Sequence, residues 1–408
     1  MGAAKQRARY TVVKQLGKAS EMKLPLENIT VVSLEQAIAA PLASRHLADW
    51  GARVIKIERP GSGDFARGYD TAMHGLSSQF VWANRSKESL ALDVKSDFGQ
   101  EVLDELLPRA DVFIQNLAPG AAKRLGLDAK SLVERYPRLI ACDISGYGST
   151  GPYAQKKAYD LLVQCETGFL SINGTPAEQA KCGLSIVDIA TGMYALNGIL
   201  LALYRRELTG KGTAFEVSLF DAMAEWMSYP AYYTRDSGKP VERSGARHAT
   251  IAPYGPFTAG DGKTIFFGIQ NEREWRSFCE KVLRDREVRT DPRFATNPDR
   301  VRNREALEAL INDKFAAWTS GELSDLLERA AIASGRMNTV EEFLAHPQLH
   351  ERGRVTSIDS PEGPLEVFLP PMIVDGLSPA MKSVPDVGEH TEEILGELGL
   401  HPSRVRIA

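Results

Sequence analysis

Cysteine is scarce in this chain. Four occur in 408 residues, Cys142, Cys165, Cys182 and Cys279, with no CxxC step and no metal-ligand spacing. That excludes a disulfide scaffold and a cysteine-built zinc site, and reduced thiols in a cytoplasmic protein are the economical expectation. Charge of one sign is lacking too. A net charge of −4 gives no electrostatic footprint for nucleic acid or a membrane surface, and neither is expected as a partner. Histidine is sparse, and His46, His74 and His248 form no metal constellation, so no metal is expected. No run of about 18 apolar residues is free of charge, which speaks against a membrane span. The turn after the first expected strand, "EQAIAAP", has no glycine. The Gly-rich stretch "GSGDFARG" follows the second strand instead and departs from G-x-G-x-x-G. Pyrophosphate needs close glycine backbone at the first turn, so a hydride-transferring dinucleotide enzyme is disfavoured.

What is present reads as a soluble α/β protein, 43% hydrophobic and 25% charged. "NITVVSLE", "ARVIKIERP", "SLALDVKS", "DVFIQNLAPG" and "RLIACDISGYG" are short apolar strands, with helical stretches such as "GQEVLDELLPRA" and "AAKRLGLDAKSLVERYP" between them. This alternation predicts a parallel, doubly wound, Rossmann-like sheet covered by helices. From about Tyr229 aromatics, Gly and Pro multiply, and "GPFTAGDGKTIFFGI" reads as a hairpin turning at Gly260-Asp261-Gly262. The expected organisation is a basic disordered extension over residues 1–23 (or an upstream start codon), a large domain from 24 to 225, a smaller α+β domain from 226 to 320, and a return to the large domain from 321 to 408.

One carboxylate stands out. In "GLSIVDIATGMYALNGILLALYRRELTGKG", Asp188 heads a segment without another charge from Ile189 to Tyr204. A helix apolar on nearly every side is expected to be buried, and an ionised carboxylate there is costly unless paired. Ser185 and Asp188 fit a capping box, in which the acid reaches back to the helix start. An acid in the first helical turn also gains from the helix dipole.

The stretches "ITVVSLEQAIAAPLASRHLADWGARVIKIERPGSGDFAR", "SLALDVKSDFGQEVLDELLPRADVFIQNLAPGAAKRLGL", "LIACDISGYGSTGPYAQKKAYDLLVQCETG" and the closing "GEHTEEILGELGL" resemble, in order and over nearly the whole chain, the family III CoA-transferases. That family includes formyl-CoA, carnitine and itaconate or other dicarboxylate CoA-transferases, together with 2-methylacyl-CoA racemases. The resemblance implies a ring-shaped chain that interlocks with a second copy as a homodimer. It also implies that Asp188 of "SIVDIATG" is acylated, with CoA esters as substrates and no tightly bound cofactor. CoA contacts are implied at Ala39 of the small-residue turn, Arg59 of "KIERPG", Leu92 and Lys95 of "LDVKS", Asn116 of "IQNLAPG", Arg124 of "AAKRLG", and Lys157 and Tyr159 of "KKAYD". Asp160 matches an acidic position near the active site. Racemases carry a His directly before that acid. Here Tyr159 stands there, a poor base at neutral pH, which favours CoA transfer over racemisation. The further alternative is a CoA-binding protein without catalysis. Arg67, Arg247 and His248 lie in loops the family brings to the active site, and an Arg can hold a second carboxylate bidentately. A dicarboxylate acceptor such as itaconate, mesaconate or citramalate, with succinyl-CoA as donor, is therefore expected. Backbone N–H groups at the head of the Asp188 helix and in "GIQNERE" are candidates for oxyanion stabilisation.

Overall fold

A computed structural model describes residues 23–401; the expectation for residues 1–22 lies outside the described residues. The chain forms two compact units. The larger runs through Val163, resumes over Ser185–Glu225 and closes from Gly353 onward; the smaller comprises Gln164–Leu184 and Trp226–Arg352.

The larger unit is built on six parallel strands: β1 (Thr30–Leu34), β2 (Arg53–Glu58), β3 (Glu88–Ala91), β4 (Val112–Gln115), β5 (Ile140–Ser145) and β6 (Thr213–Ser218), in the order β3-β2-β1-β4-β5-β6. The doubly wound architecture expected from the alternation is thus present. The order reverses between β1 and β4, so their carboxyl ends open the crevice in which ligands of such sheets bind. Helix α1 (Ala39–Asp49) follows β1, α2 (Asp97–Leu106) follows β3, and α3 (Ala129–Arg135) precedes β5. Helix α4 (Asp160–Glu166) crosses from one unit to the other, and α5 (Ile186–Thr209) returns to the larger one. One face of the sheet packs Val32, Ile55, Leu90 and Phe113 against Leu103, Leu106 and Leu132. The alternate side chains of each strand point to the opposite face, and α5 packs against both β5 and β6.

Helix α5 departs from the expectation of burial on every side. Val187, Ala190, Ala195, Ile199 and Ala202 are buried, whereas Leu201, Tyr204 and Leu208 are about 70% exposed. Alanines and glycines were what let one face come close to α1, and the bulky residues collect on the other. With 24 residues, α5 is long and apolar enough to cross a membrane by length and composition, which a count of uncharged residues alone overlooked.

The smaller unit carries the antiparallel strands β7 (Tyr254–Thr258), β8 (Thr264–Gly268) and β9 (Ser334–Arg336). β7 and β8 form the expected hairpin, with Gly262 left-handed in the turn (φ +75°). The expected boundary at 320 is displaced. Helix α6 (Ser320–Arg329), capped by Thr319 and Glu322, buries Leu323, Leu326 and Leu327 among Phe257, Phe267, Phe278 and Phe315, and β9 pairs with β8. Three leucines on one helical face follow the nearest aromatic core, so residues 321–352 belong here. Residues 164–184 also join this unit, where Arg243 donates to the carbonyls of Thr175 and Pro176. The return to the larger unit begins at Gly353, with the hairpin β10 (Val355–Ile358) and β11 (Leu365–Phe368) burying Ile358 and Leu365 beside Phe80 and Val81.

Candidate active site

Ser185 makes no side-chain cap at the start of α5. The cap comes from a different helix. Asp160, at the head of α4, accepts hydrogen bonds through Oδ1 from Val187 N (2.7 Å) and Asp188 N (3.3 Å). The capping-box reading is therefore overturned: the first turn is satisfied by Asp160, and the Asp188 carboxylate has no hydrogen-bond or ion-pair partner among the described residues. Burial pushes the Asp188 carboxyl up to about 7, and the Asp160 carboxylate behind it adds to the shift. Ile189 N already donates to Ser185 O. The N–H groups expected to serve an oxyanion are thus largely engaged. In "GIQNERE" the first three are engaged as well, Gly268 N with Ala333 O, Ile269 N with Pro253 O and Gln270 N with Glu274 Oε2.

The helix is placed by a close approach. A Cβ on Gly192 would lie 2.6 Å from Ala39 O and 3.3 Å from Leu42 Cβ. Gly192 is one turn beyond Asp188 on the same face, so the nucleophile candidate is held beside the first turn of α1. The β1–α1 turn is itself clamped from below. Ala37, left-handed at φ +62°, donates its N–H to Asp64 Oδ1 at 3.1 Å. Asp64 Oδ2 accepts from Lys56 Nζ at 2.8 Å, and Lys87 Nζ donates to Glu35 Oε1 at 2.7 Å, all fully buried. Burial brings Lys87 down to about 7 although Glu35 opposes it; burial raises Glu35, but Lys87 and Lys56 outweigh it and hold its carboxyl below the usual range. The Gly-rich loop "GSGDFARG" therefore serves this turn through Asp64.

The residues carried over as CoA contacts lie in the segments that follow successive strands. Ala39 follows β1, Arg59 follows β2, Leu92 and Lys95 follow β3, Asn116 and Arg124 follow β4, and Lys157 and Tyr159 come after β5, all beyond the carboxyl ends of the sheet. Arg59, Lys95, Arg124, Lys157 and Tyr159 are exposed, while Ala39 and Leu92 are buried. Asn116 bridges the switch point. Its Nδ2 donates to Gln36 O (2.8 Å) and its Oδ1 accepts from Gln36 N (2.9 Å).

Arg67 is not placed to hold a substrate carboxylate. Its guanidinium is engaged by Glu58 (2.7 Å) and Pro385 O and lies 3.8 Å from the Phe80 ring centroid. A buried glutamate and an aromatic face outcompete a ligand for that fork. In the smaller unit Arg247 pairs with Glu308 at 2.9 Å, and the His248 ring stacks on Tyr254 at 5.3 Å. The bidentate-arginine argument for a dicarboxylate thus loses Arg67 and finds Arg247 already paired. Tyr69, two residues beyond Arg67, was missed. Burial, with the Asp64, Asp188 and Tyr159 charges, pushes its hydroxyl up to about 12. It remains a donor at neutral pH within electrostatic reach of Asp188. Nothing in the sequence but its place in "ARGYD" marks it.

Comparison with known proteins identifies the family. The family model described as CoA-transferase family III matches residues 26–391. The chain is 33% identical to a succinate–glutarate CoA-transferase of Agrobacterium fabrum over 92% of this chain and 96% of that protein. It is 31% identical to a succinyl-CoA:mesaconate CoA-transferase of Haloarcula hispanica, covering 94% and 98%. A crystal structure of a CaiB/BaiF family protein from Brucella suis superposes with a TM-score of 0.80 at 33% identity, covering 92% of this chain and all of that one.

Proposed function

Because the chain belongs to CoA-transferase family III and is a CoA-transferase, we propose that it moves CoA from succinyl-CoA to a dicarboxylic acid by covalent chemistry at Asp188. Glutarate, taken from the name of a relative, joins itaconate, mesaconate and citramalate as a candidate acceptor, and mesaconate also stands in a relative's name. The observation that carries the reading is the partly buried carboxylate of Asp188, without a hydrogen-bond or ion-pair partner among the described residues, with its helix capped by another residue. A carboxylate stripped of water and hydrogen bonds is a stronger nucleophile than a solvated one.

The reaction proceeds by balanced exchanges. Ionised Asp188 attacks the thioester carbonyl, the C–S bond breaks, and CoA leaves as thiolate from a mixed anhydride. The thiolate attacks the aspartyl carbonyl, releasing the donor acid as carboxylate and leaving an aspartyl-CoA thioester. The acceptor carboxylate displaces CoA from that thioester, and the thiolate then attacks the acceptor's acyl carbon, freeing Asp188. A thioester replaces a thioester, so no ATP is consumed. CoA runs along the carboxyl edge of the sheet, where Arg59, Lys95, Arg124 and Lys157 offer positive charge to its phosphates. The protonated Tyr69 hydroxyl supplies a donor for the oxygen that becomes charged. The exposed face of α5, with Leu201, Tyr204 and Leu208, is a surface for the second copy of an interlocked dimer. The four free cysteines suit a reducing cytoplasm.

Intact-protein mass spectrometry after incubation with succinyl-CoA, with and without hydroxylamine, tests the reading. A wild-type adduct converted to a hydroxamate at Asp188, and absent from Asp188→Ala, is expected. No adduct with any acyl-CoA of a short-chain panel would sink it.

A further inference from the structure

Two helix starts converge on one carboxylate. Asp160 begins α4 and accepts from the first-turn N–H groups of α5 at 2.7 and 3.3 Å. A negative group is what the N-terminus of a helix attracts. In most helices that group comes from the residue before the first turn or from the acid three places on. Here those are Ser185 and Asp188, and neither performs the task.

We propose that Asp160 is a positioning residue for acyl transfer: by capping α5 from another helix it relieves Asp188 of the role its sequence position assigns, leaving both nucleophile oxygens free for the acyl carbon. The proposal rests on Asp188 being the acylated residue. Two consequences are separable. The hydrogen bonds hold the first turn of α5, and so the nucleophile, in place. The negative charge keeps Asp188 basic, which strengthens attack once Asp188 is ionised while raising the pH at which it ionises.

The charged groups of the elements packed against α5 are committed elsewhere. On α1, Arg45 pairs with Asp49 at 2.6 Å, and His46 lies beside Arg45. On β5, Asp143 accepts from Ala129 N and Gln115 Nε2, and on β6 Glu216 accepts from Ser149 N. Tyr69, from the segment after β2, lies within electrostatic reach of Asp188 and of Tyr159, the neighbour of Asp160.

The test compares wild type, Asp160→Asn, Asp160→Ala and Asp188→Ala. Acyl-enzyme formation with succinyl-CoA is measured in a single turnover by hydroxylamine trapping from pH 5.5 to 9. Asparagine preserves an acceptor at the cap and removes the charge. Asp160→Asn should therefore fold as the wild type does, with its acid limb moved down by about one pH unit and a lower plateau. The two profiles then cross, the variant being faster in acid. Asp160→Ala, lacking the cap as well, should be slower than Asp160→Asn at every pH, by about tenfold or more. Profiles and plateaus equal to wild type in both variants would overturn the proposal. So would an Asn variant as slow as the Ala variant with an unmoved acid limb, which would reduce Asp160 to a fold-stabilising cap. If wild type carries no trappable acyl group at Asp188, the transferase reading and this proposal fall together; an acylated wild type with unresponsive Asp160 variants overturns the proposal alone.

Discussion

Two places in the larger unit hold charge away from water, and they are built in opposite ways. Beneath the β1–α1 turn, Glu35, Lys56, Asp64 and Lys87 are fully buried, yet each meets an opposite charge at 2.7–2.8 Å. At the head of α5, Asp188 meets none, and the nearest charge named in its shift is the like-charged Asp160. Full pairing makes the first cluster inert scaffolding. Imbalance suits the second to the acyl transfer proposed for it, since a carboxylate held above its ordinary range releases energy when it becomes an ester or anhydride. Burial alone therefore does not mark a reactive group. The absence of compensation does.

The sharpest way to break the comparison is to remove the unbalanced charge. Asp188→Ala should lower acyl transfer by about 10,000-fold, measured as succinyl-CoA-dependent CoA exchange. The same site should show the reverse in stability. Its folded-state value lies above the unfolded one, so the stability associated with Asp188 is present in acid and lost as pH rises from about 4 through about 7. Asp188→Asn should thus be more stable than wild type by about 2 kcal/mol at pH 8, and equal to it near pH 4, in urea unfolding. Wild-type acylation should climb through about pH 7, because only the ionised carboxylate attacks.

Removing one partner from the balanced cluster should act the other way. Asp64→Ala leaves Lys56 only its longer ion pair with Glu35 (3.6 Å) and frees Ala37 N, and should cost about 3–5 kcal/mol of unfolding free energy. A loss below 1 kcal/mol would mean that the cluster is less dry than its burial indicates. Between the two regions lies the contact that joins them. Gly192→Ala must push α5 from Ala39 O, which should cost about 1–3 kcal/mol and lower acylation more than it lowers CoA binding. The smallest effect is expected at the switch point. Asn116→Ala unpairs one N–H and one carbonyl of Gln36 and should cost about 1–2 kcal/mol, read from the same urea curves.

Much of the fold was legible before any coordinates. Short β-branched strands separated by helices carry their architecture in composition, because a parallel strand must be apolar on both faces. The hairpin turning at Gly262 carried its own signal, since a left-handed turn favours glycine. The boundary near 320 was not legible. Leu323, Leu326 and Leu327 announce a helix with an apolar face, and nothing local says which core receives it. Arg67 failed for a related reason. A guanidinium in a loop looks available until Glu58 and Phe80, nine and thirteen positions away, are seen to hold it.

By itself the sequence determined that the chain is a doubly wound α/β protein with one conspicuous acid at the head of an apolar helix, because periodicity and composition are local properties. It left Asp188 divided between cap and nucleophile. Only the tertiary structure removed the cap reading, by bringing Asp160 from 27 residues upstream onto Val187 N. A hydrogen bond between distant segments leaves no trace in either segment's pattern, since its geometry exists only once the sheet and helices have packed.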